Sequence, residues 1–281
     1  MLTETCCQID LIKLFKDGFC TGHGYIREPN SIKSYSALAC IAIQANQNEM
    51  HGGQSVPNFD YAMAQGVARS FRKEYFKAME KYVRVKFDLT QEAASEFTDT
   101  LKNALGKDVR MGEPEVYEAK LEEWVGGGEI LCGDRLLLAE DVKKAHKCAV
   151  EMALRETEEE TYQAMEALIH NLNTMNSRAG AQVPFSSVNY GTDCSPEGRM
   201  VIRNLLLATD AGLGNGETPI FPVQIFKVKE GVNYNPGDPN YDLFRLAVRT
   251  SAKRLFPNFS FLDAPFNLAY YKEGDYNTEV A

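Results

Sequence analysis

The chain has 281 residues, 44% hydrophobic and 25% charged, with 39 acidic against 30 basic side chains and a formal net charge of −9. That profile excludes collagen-like and disordered chains. The acidic excess argues against a DNA-binding surface, while leaving room for a local basic pocket for nucleotide phosphates.

A chain of this length buries roughly 75% of its unfolded surface and needs no disulfide or metal staple. No apolar run approaches the roughly 18–20 residues that span a bilayer. Glu4, Asp10, Lys13, Lys16 and Asp17 interrupt the stretch a signal peptide requires, so a cytoplasmic protein with no membrane partner is expected. The seven cysteines (Cys6, Cys7, Cys20, Cys40, Cys132, Cys148, Cys194) lack CxxC spacing and read as reduced thiols, any of which could be reactive.

In chain order, residues 5–15 mix β-branched and apolar residues ahead of Asp17-Gly18, which predicts a strand followed by a short helical turn. Ser31 is a good N-cap for a helix over the alanine-rich run Ile32–Asn48. The stretch HGGQSVPN at 51–58 punctuates the chain. Asn58 or Asp60 then opens a helix to about Lys81, with Met63, Val67, Phe71, Tyr75 and Met79 at spacings of four and Arg69, Lys73 and Lys77 on another face.

From about 88 to 155 the character turns charged and helix-rich, with helices expected at Thr90–Leu105, Pro114–Val125 and Ala139–Leu154, separated by the GKD turn and the triple glycine at 126–128. This reads as a peripheral helical insertion. Glu156 and Glu158–Glu160 look like the acidic first turn of another helix running to about Asn176, with Met165, Leu168, Ile169 and Leu172 on its apolar face. Strand-like Gln182–Asn189 follows. Ser195, Pro196 and Glu197 supply an N-cap, an N1 proline and a first-turn acid for a helix ending near Gly212. A strand over Pro219–Lys229, a helix from Asp238-Pro239 to about Leu255 and a strand around Phe259–Leu262 complete a β–α–β alternation that predicts an α/β sheet or barrel.

Several motifs carry candidate chemistry. Gly212, Gly214 and Gly216 mimic a dinucleotide fingerprint, but the helix precedes rather than follows them, so a helix C-cap and turn is the better reading. Cys20 and His23 have metal-ligand spacing without a second pair to complete four ligands. His51-Gly52-Gly53-Gln54 is either an ordinary turn or a place where backbone approaches a ligand closely and the His and Gln side chains bond it. Arg178-Ala-Gly180-Ala-Gln182 joins a helix to a strand and reads equally as a structural loop or as an effector loop, pairing a guanidinium with a flexible glycine. Cys6 and Cys7 are adjacent in a strand, so they point to opposite faces and cannot both line one pocket. Either one faces a site or both are small buried hydrophobes.

Taken together, TCCQIDL, GHGYIREPNSI, NQNEMHGGQSVPNFDYAMA, AMEALIHNLNTMNSRAGAQVPFSSVNYGTDCSPEGR, GNGETPIFPVQIFKVKEGVNYNPGDPNYDLF and RLFPNFSFLDAPFN resemble the large subunit of the anaerobic (class III) ribonucleoside-triphosphate reductases. The resemblance covers nearly the whole chain and is least distinctive around 88–155. It implies part of a ten-stranded α/β barrel of the glycyl-radical type, made of two half-barrels with a finger loop that carries a thiyl-radical cysteine into the centre. In that chemistry a stored glycyl radical, made by an activase with S-adenosylmethionine and an iron–sulfur cluster, oxidises the cysteine. The thiyl takes hydrogen from the ribose 3′ carbon, the 2′ hydroxyl leaves as water, and formate or a thiol system supplies the reducing equivalents. The products are deoxyribonucleoside triphosphates for DNA synthesis.

Carried over by position, the resemblance makes Cys6 the second active-site cysteine and Cys7 a buried spare. It places His51, Gly52, Gly53 and Gln54 in the substrate-facing wall. Asn176, Ser177, Arg178 and Gln182 fall in the loop that relays the identity of a deoxynucleotide or ATP effector. A homodimer and the activase are the implied partners. The resemblance to the family leaves off at Tyr276–Ala281, about where the finger loop would follow, and no cysteine here matches the radical cysteine. The glycyl-radical segment, its cysteine-rich structural zinc site and the N-terminal ATP-cone are also without counterparts. Residues 1–281 therefore read as a partial catalytic barrel, a central fragment inactive alone and carrying no cofactor of its own, with an opened barrel expected to expose strand edges and apolar faces. The alternatives are a non-catalytic nucleotide-binding or dimerising module, or one piece of a split reductase.

Overall fold

The computed structural model describes residues 6–126, 128–133, 135–272 and 274–275. Glu4, the predicted strand start at residue 5, the middle glycine at 127 and the end segment Tyr276–Ala281 lie outside the described residues.

In chain order the elements are β1 (Cys7–Gln8), α1 (Leu11–Lys16), β2 (Phe19–Cys20), β3 (Tyr25–Ile26), α2 (Ile32–Glu49), β4 (Gln54–Val56) and α3 (Phe59–Phe87). There follow α4 (Gln91–Leu105), α5 (Pro114–Val125), β5 (Glu129–Cys132), β6 (Arg135–Leu138) and α6 (Ala139–Thr174). The chain closes with β7 (Ser186–Tyr190), α7 (Pro196–Ala211), β8 (Val223–Val228), α8 (Tyr241–Arg254), β9 (Asn258–Phe261) and α9 (Pro265–Leu268). They form two compact units: residues up to Val67 together with those from Glu160 onward, and Ala68–Glu159.

The first unit is a parallel α/β structure. Its sheet has the order β1-β4-β7-β8-β9, every neighbouring pair parallel. The register places Cys7 beside Gln54 and Ser186, Val56 beside Val188 and Gln224, and Tyr190 beside Phe226 and Phe259. Because successive strand residues alternate faces, these residues share one face. There Tyr190 Oη donates to Gln224 Oε1 (2.7 Å), Gln224 Nε2 donates to Thr209 of α7 (2.7 Å), and Phe226 packs on Phe244 of α8. The opposite face carries Gln8, Ser55, Ser187, Val223 and Ile225, none of them fully buried, and the buried Asn189 and Lys227. Parallel sheets are ordinarily covered on both sides by apolar contacts. This one has a closed apolar face and a half-open one that is largely polar.

The caps predicted at Ser31 and Ser195 hold. The Ser31 and Ser34 side chains make a reciprocal capping box at α2, and Ser195 Oγ accepts from Gly198 N at α7 with Pro196 following it. Gly212 closes α7 as its C-cap, so the glycine trio is a turn. Four details differ from expectation. The punctuating stretch 51–58 contains β4, whose three residues are too few to show a period. The strand after the arginine loop starts at Ser186 rather than Gln182, because the turn at 178–182 and Pro184 use the preceding residues. Strand β8 starts at Val223 rather than Pro219, behind Pro222, which cannot donate to a ladder. Finally, β2 and β3 form an antiparallel hairpin across the 21–24 loop, hidden by its glycines.

The second unit is built on a continuous apolar cluster that includes Phe71, Tyr75, Met79, Phe97, Leu101, Leu105, Tyr117, Leu121, Leu137 and Ala145. The helix expected to end near Lys81 continues to Phe87, where Asp88 takes a positive φ of 51°. The break expected between Leu154 and Glu156 is absent: α6 is one helix of 36 residues. No glycine, proline or cap interrupts 154–160, and an acidic run lies comfortably on a helix surface, so charge alone is a poor marker of a helix start. The triple glycine does more than separate helices, since it leads into the β5–β6 hairpin, which the charged character of the region concealed.

Candidate functional site

Three of the segments singled out from sequence converge at the amino-terminal rim of the parallel sheet. Cys6 is exposed immediately before β1. The next residue, Cys7, donates its amide to Gly53 O at 3.0 Å. Cys7 is half-buried and, with Ala42, Ala45 and Asn46 of α2, lines a cavity of about 760 Å³ on the closed side. Cys6 falls on the opposite parity, with Gln8, Ser55 and Ser187 of the half-open face. Cys7 is thus not fully buried, because β1 is the sheet edge and α2 covers it incompletely.

His51 is exposed, Gly52 and Gly53 are half-buried, and Gln54 is buried at the start of β4. Gln54 is held on all sides. Its Nε2 donates to Gly52 O (3.1 Å), its Oε1 accepts from Asn46, and its backbone N donates to Phe185 O (2.8 Å). Gly53 fits because the Phe185 ring lies where a side chain would be: a Cβ there would stand 3.1 Å from the ring.

The arginine loop is a closed miniature hairpin. Ser177 N donates to Gln182 O at 2.8 Å, its hydroxyl donates to the same oxygen at 3.1 Å, and Arg178 bridges Gln182. Asn176 and Gln182 are exposed, while Ser177 is buried. The Arg178 guanidinium donates to the carbonyls of Gln47 and Met50, which end α2. A cation there complements the orphan carbonyls and the negative end of the helix dipole. Phe185, at the far end of the same loop, is 56% exposed and meets Phe221 edge-on at 5.3 Å.

Sequence reading missed a second polar centre, at the carboxyl ends of the strands. Asp60 Oδ2 accepts from three successive amides, Gly191 (2.8 Å), Thr192 (3.1 Å) and Asp193 (3.1 Å). Asn233 and Asn240 both donate to Gly191 O, and Arg199 forms a two-pronged contact with Asp242 at 2.9–3.0 Å. Burial and the neighbouring Asp60 push the Asp193 carboxyl up to about 6. A Cβ on Gly198 would stand 2.1 Å from Asp193 Cγ, so α7 starts hard against that acid. The only signal in the sequence was the density of Asn and Asp between 189 and 242.

On the half-open face, Asn189 is fully buried and neither of its amide atoms has a hydrogen-bond partner. Lys227, on the same parity, is also buried and donates to Pro57 O at 3.4 Å. Among the thiols, burial pushes Cys40 up to about 12 and raises Cys132 and Cys194, which holds these three protonated. Cys20 and His23 are both exposed. Among the described residues no group of three or more His, Cys, Asp or Glu could hold a metal ion. No helix among them is long and apolar enough to cross a membrane.

Fold and site together define a parallel α/β protein whose polar loops gather on one rim of a half-open sheet. The family model for anaerobic ribonucleoside-triphosphate reductase matches residues 1–280. The chain belongs to the anaerobic ribonucleoside-triphosphate reductase family, a family of oxidoreductases. Relatives described as anaerobic ribonucleoside-triphosphate reductase include those of Salmonella typhimurium (25% identical over 254 residues), Escherichia coli (24%) and Enterobacteria phage T4 (26%). Each alignment covers 90% of this chain, but only 27% of the two bacterial proteins and 31% of the phage protein. The chain therefore spans less than a third of the length of these relatives.

Proposed function

We propose that this chain supplies one half of a ten-stranded catalytic barrel in an anaerobic ribonucleoside-triphosphate reductase that makes deoxyribonucleoside triphosphates for DNA synthesis. The observation that carries the reading is the family match along residues 1–280, combined with the gathering of Cys6, His51–Gln54 and the Arg178 loop on one rim. The half-open polar face is the interior of that barrel. Cys6 stands on it as the thiol beside the ribose, and its weak S–H bond donates hydrogen to a substrate radical. Gly52 lets the backbone approach the nucleotide and His51 borders it, Gln54 holds Gly52 in place from the closed face behind Gly53, and the buried Asn189 amide offers a donor and an acceptor to ribose hydroxyls. Asn176, Ser177, Arg178 and Gln182 bind the deoxynucleotide or ATP effector.

The glycyl radical, its activase with S-adenosylmethionine and an iron–sulfur cluster, and the structural zinc belong to the whole reductase. The homodimer and the cytoplasmic setting follow from the same reading, and the seven free thiols suit a reducing compartment.

Maleimide labelling tests the assignment, because Cys6, Cys20 and Cys194 are all exposed and report separately. A saturating ribonucleoside triphosphate should slow labelling of Cys6 and leave Cys20 and Cys194 unchanged. Equal rates at Cys6 with and without nucleotide would overturn the placement of the substrate. Within a complete reductase, Cys6→Ala should abolish turnover while nucleotide binding persists; normal turnover would remove Cys6 from the chemistry.

A further inference from the structure

Gln47 was not prominent in the sequence, yet its side chain ties the two loops of the site together, beside the direct contacts of Arg178 with Met50 O and of Phe185 O with Gln54 N. It lies in the last turn of α2 with no exposed surface. Its Nε2 donates to Met50 O (3.2 Å) and Gly52 O (3.1 Å), and its Oε1 accepts from Phe185 N (3.2 Å). Its own carbonyl accepts from Arg178. One residue thus engages the backbone on both sides of His51, the backbone at the end of the arginine loop, and the arginine itself. Phe185 is clipped at both of its backbone atoms, its N to Gln47 and its O to Gln54 N (2.8 Å).

We infer that Gln47 is a positioning residue that couples the Arg178 loop to the His51–Gln54 wall, so that a ligand seated at one changes the other. Its amide has fixed polarity: the donor side faces the wall and the acceptor side faces the loop. Moving Phe185 therefore either drags the Gln47 side chain from Met50 and Gly52 or leaves a buried polar group unpaired, and moving Arg178 releases the Gln47 and Met50 carbonyls. Leaving a buried group unpaired shifts an equilibrium by about 5- to 150-fold, which is the range of coupling between ligand sites. The sharing of Gly52 O between Gln47 and Gln54 extends the tie to the first residue of β4. Touching no ligand itself, Gln47 acts through the loops it holds. This inference rests on the proposed assignment of those loops to effector and substrate.

Amide hydrogen exchange on this chain separates the two. With dATP, dGTP or dTTP and Mg²⁺, the wild type should gain protection at 177–182 and also at 50–54. Gln47→Met keeps the volume but removes both polar contacts. It should exchange the Phe185 amide roughly tenfold faster, the size of one hydrogen bond, and gain nucleotide protection at 177–182 while losing it at 50–54. Gln47→Asn retains an amide one methylene too short to span the gap, and should show the same loss if the Met variant fails to fold. Gln44→Leu, one turn earlier on α2 and with an Nε2 that has no partner, controls for damage to the helix and should behave as wild type. Protection still reaching 50–54 in both Gln47 variants would overturn the coupling and leave the effector loop standing. Nucleotide protection at neither loop in wild type would overturn the effector assignment, and the coupling with it.

Discussion

The two units of this protein are built on opposite principles. Ala68–Glu159 is an apolar cluster of helices and one hairpin whose buried polar side chains are few, notably Ser70, Glu74 and Thr98. The sheet unit buries Gln47, Gln54, Asp60, Asn189, Asp193, Gln224, Lys227, Asn233 and Asn240. Most of these are tied into hydrogen-bond networks at the two ends of the strands. Apolar packing tolerates substitution with graded loss, whereas a buried polar network fixes one arrangement and fails abruptly when a member is left unpaired. The difference teaches where a binding function is expected: in the unit that keeps polar groups inside at a cost in stability.

Large-to-small substitutions should expose that contrast most strongly. Leu101→Ala removes a fully buried side chain from the helical core, and should cost about 3 kcal/mol. Trp124, the single tryptophan, packs edge-on against Phe97 at 5.6 Å in the same unit, so its fluorescence reports that loss in a urea titration. Asp60→Ala orphans three buried amides and should cost a similar roughly 3 kcal/mol in the sheet unit, read as faster exchange at Gly191–Asp193 with the Trp124 transition little changed. A shift of the Trp124 midpoint equal to that of Leu101→Ala would show the units unfolding as one.

Acidity should move the two units in opposite directions. The Asp193 carboxyl is raised to about 6 by burial and by Asp60, so the folded sheet unit holds a proton that the unfolded chain releases near pH 4. Its stability should therefore fall as pH rises from about 4 to 6, by on the order of 3 kcal/mol, and Asp193→Asn should flatten that slope. His146 receives the reverse treatment. Its Nδ1 lies 2.9 Å from Tyr75 Oη and its Nε2 lies 3.7 Å from Glu118, and burial lowers it despite that acid. Stability of the helical unit should be full above pH 6.5 and decline as pH falls below it, because the unfolded chain takes up the proton first. His146→Gln should remove that decline from the Trp124 signal. Parallel pH profiles for both units would contradict the assignment.

The smallest effects should be alike in the two units. Ser31→Ala and Thr90→Ala each delete a side-chain cap, at α2 and α4, and each should cost about 1 kcal/mol. Thermal unfolding followed by Trp124 for the second and by exchange for the first would measure them. A markedly larger loss at Ser31 would show that its cap also supports the site through α2.

Much of this was legible in the residues. Ser31, Thr90, Pro114, Ser195 and Gly212 mark helix ends by local hydrogen bonding and dihedral preference, and each stands where its chemistry requires. Strands of two and three residues, such as β1 and β4, carry no measurable period and were visible only in part. The acidic run at 156–160 misled because a helix surface tolerates charge anywhere. Of the site, the cysteine pair, the HGGQ turn and the arginine loop could be named one by one. Their meeting could not be read, since it depends on hydrogen bonds between residues 131 and 138 positions apart.

By itself the sequence determined the alternation of strands and helices, the capped ends of the helices and the family to which the chain belongs, because these rest on local preference and on motifs contiguous along the chain. Only the tertiary structure decided that one sheet face is closed and the other half-open, that Gln47 ties two loops together, and that Asp60 holds three amides. Those outcomes follow from the parallel register, which brings the ends of β1, β4 and β7 side by side. A parallel pairing joins segments that no turn connects, so its contacts leave no local trace.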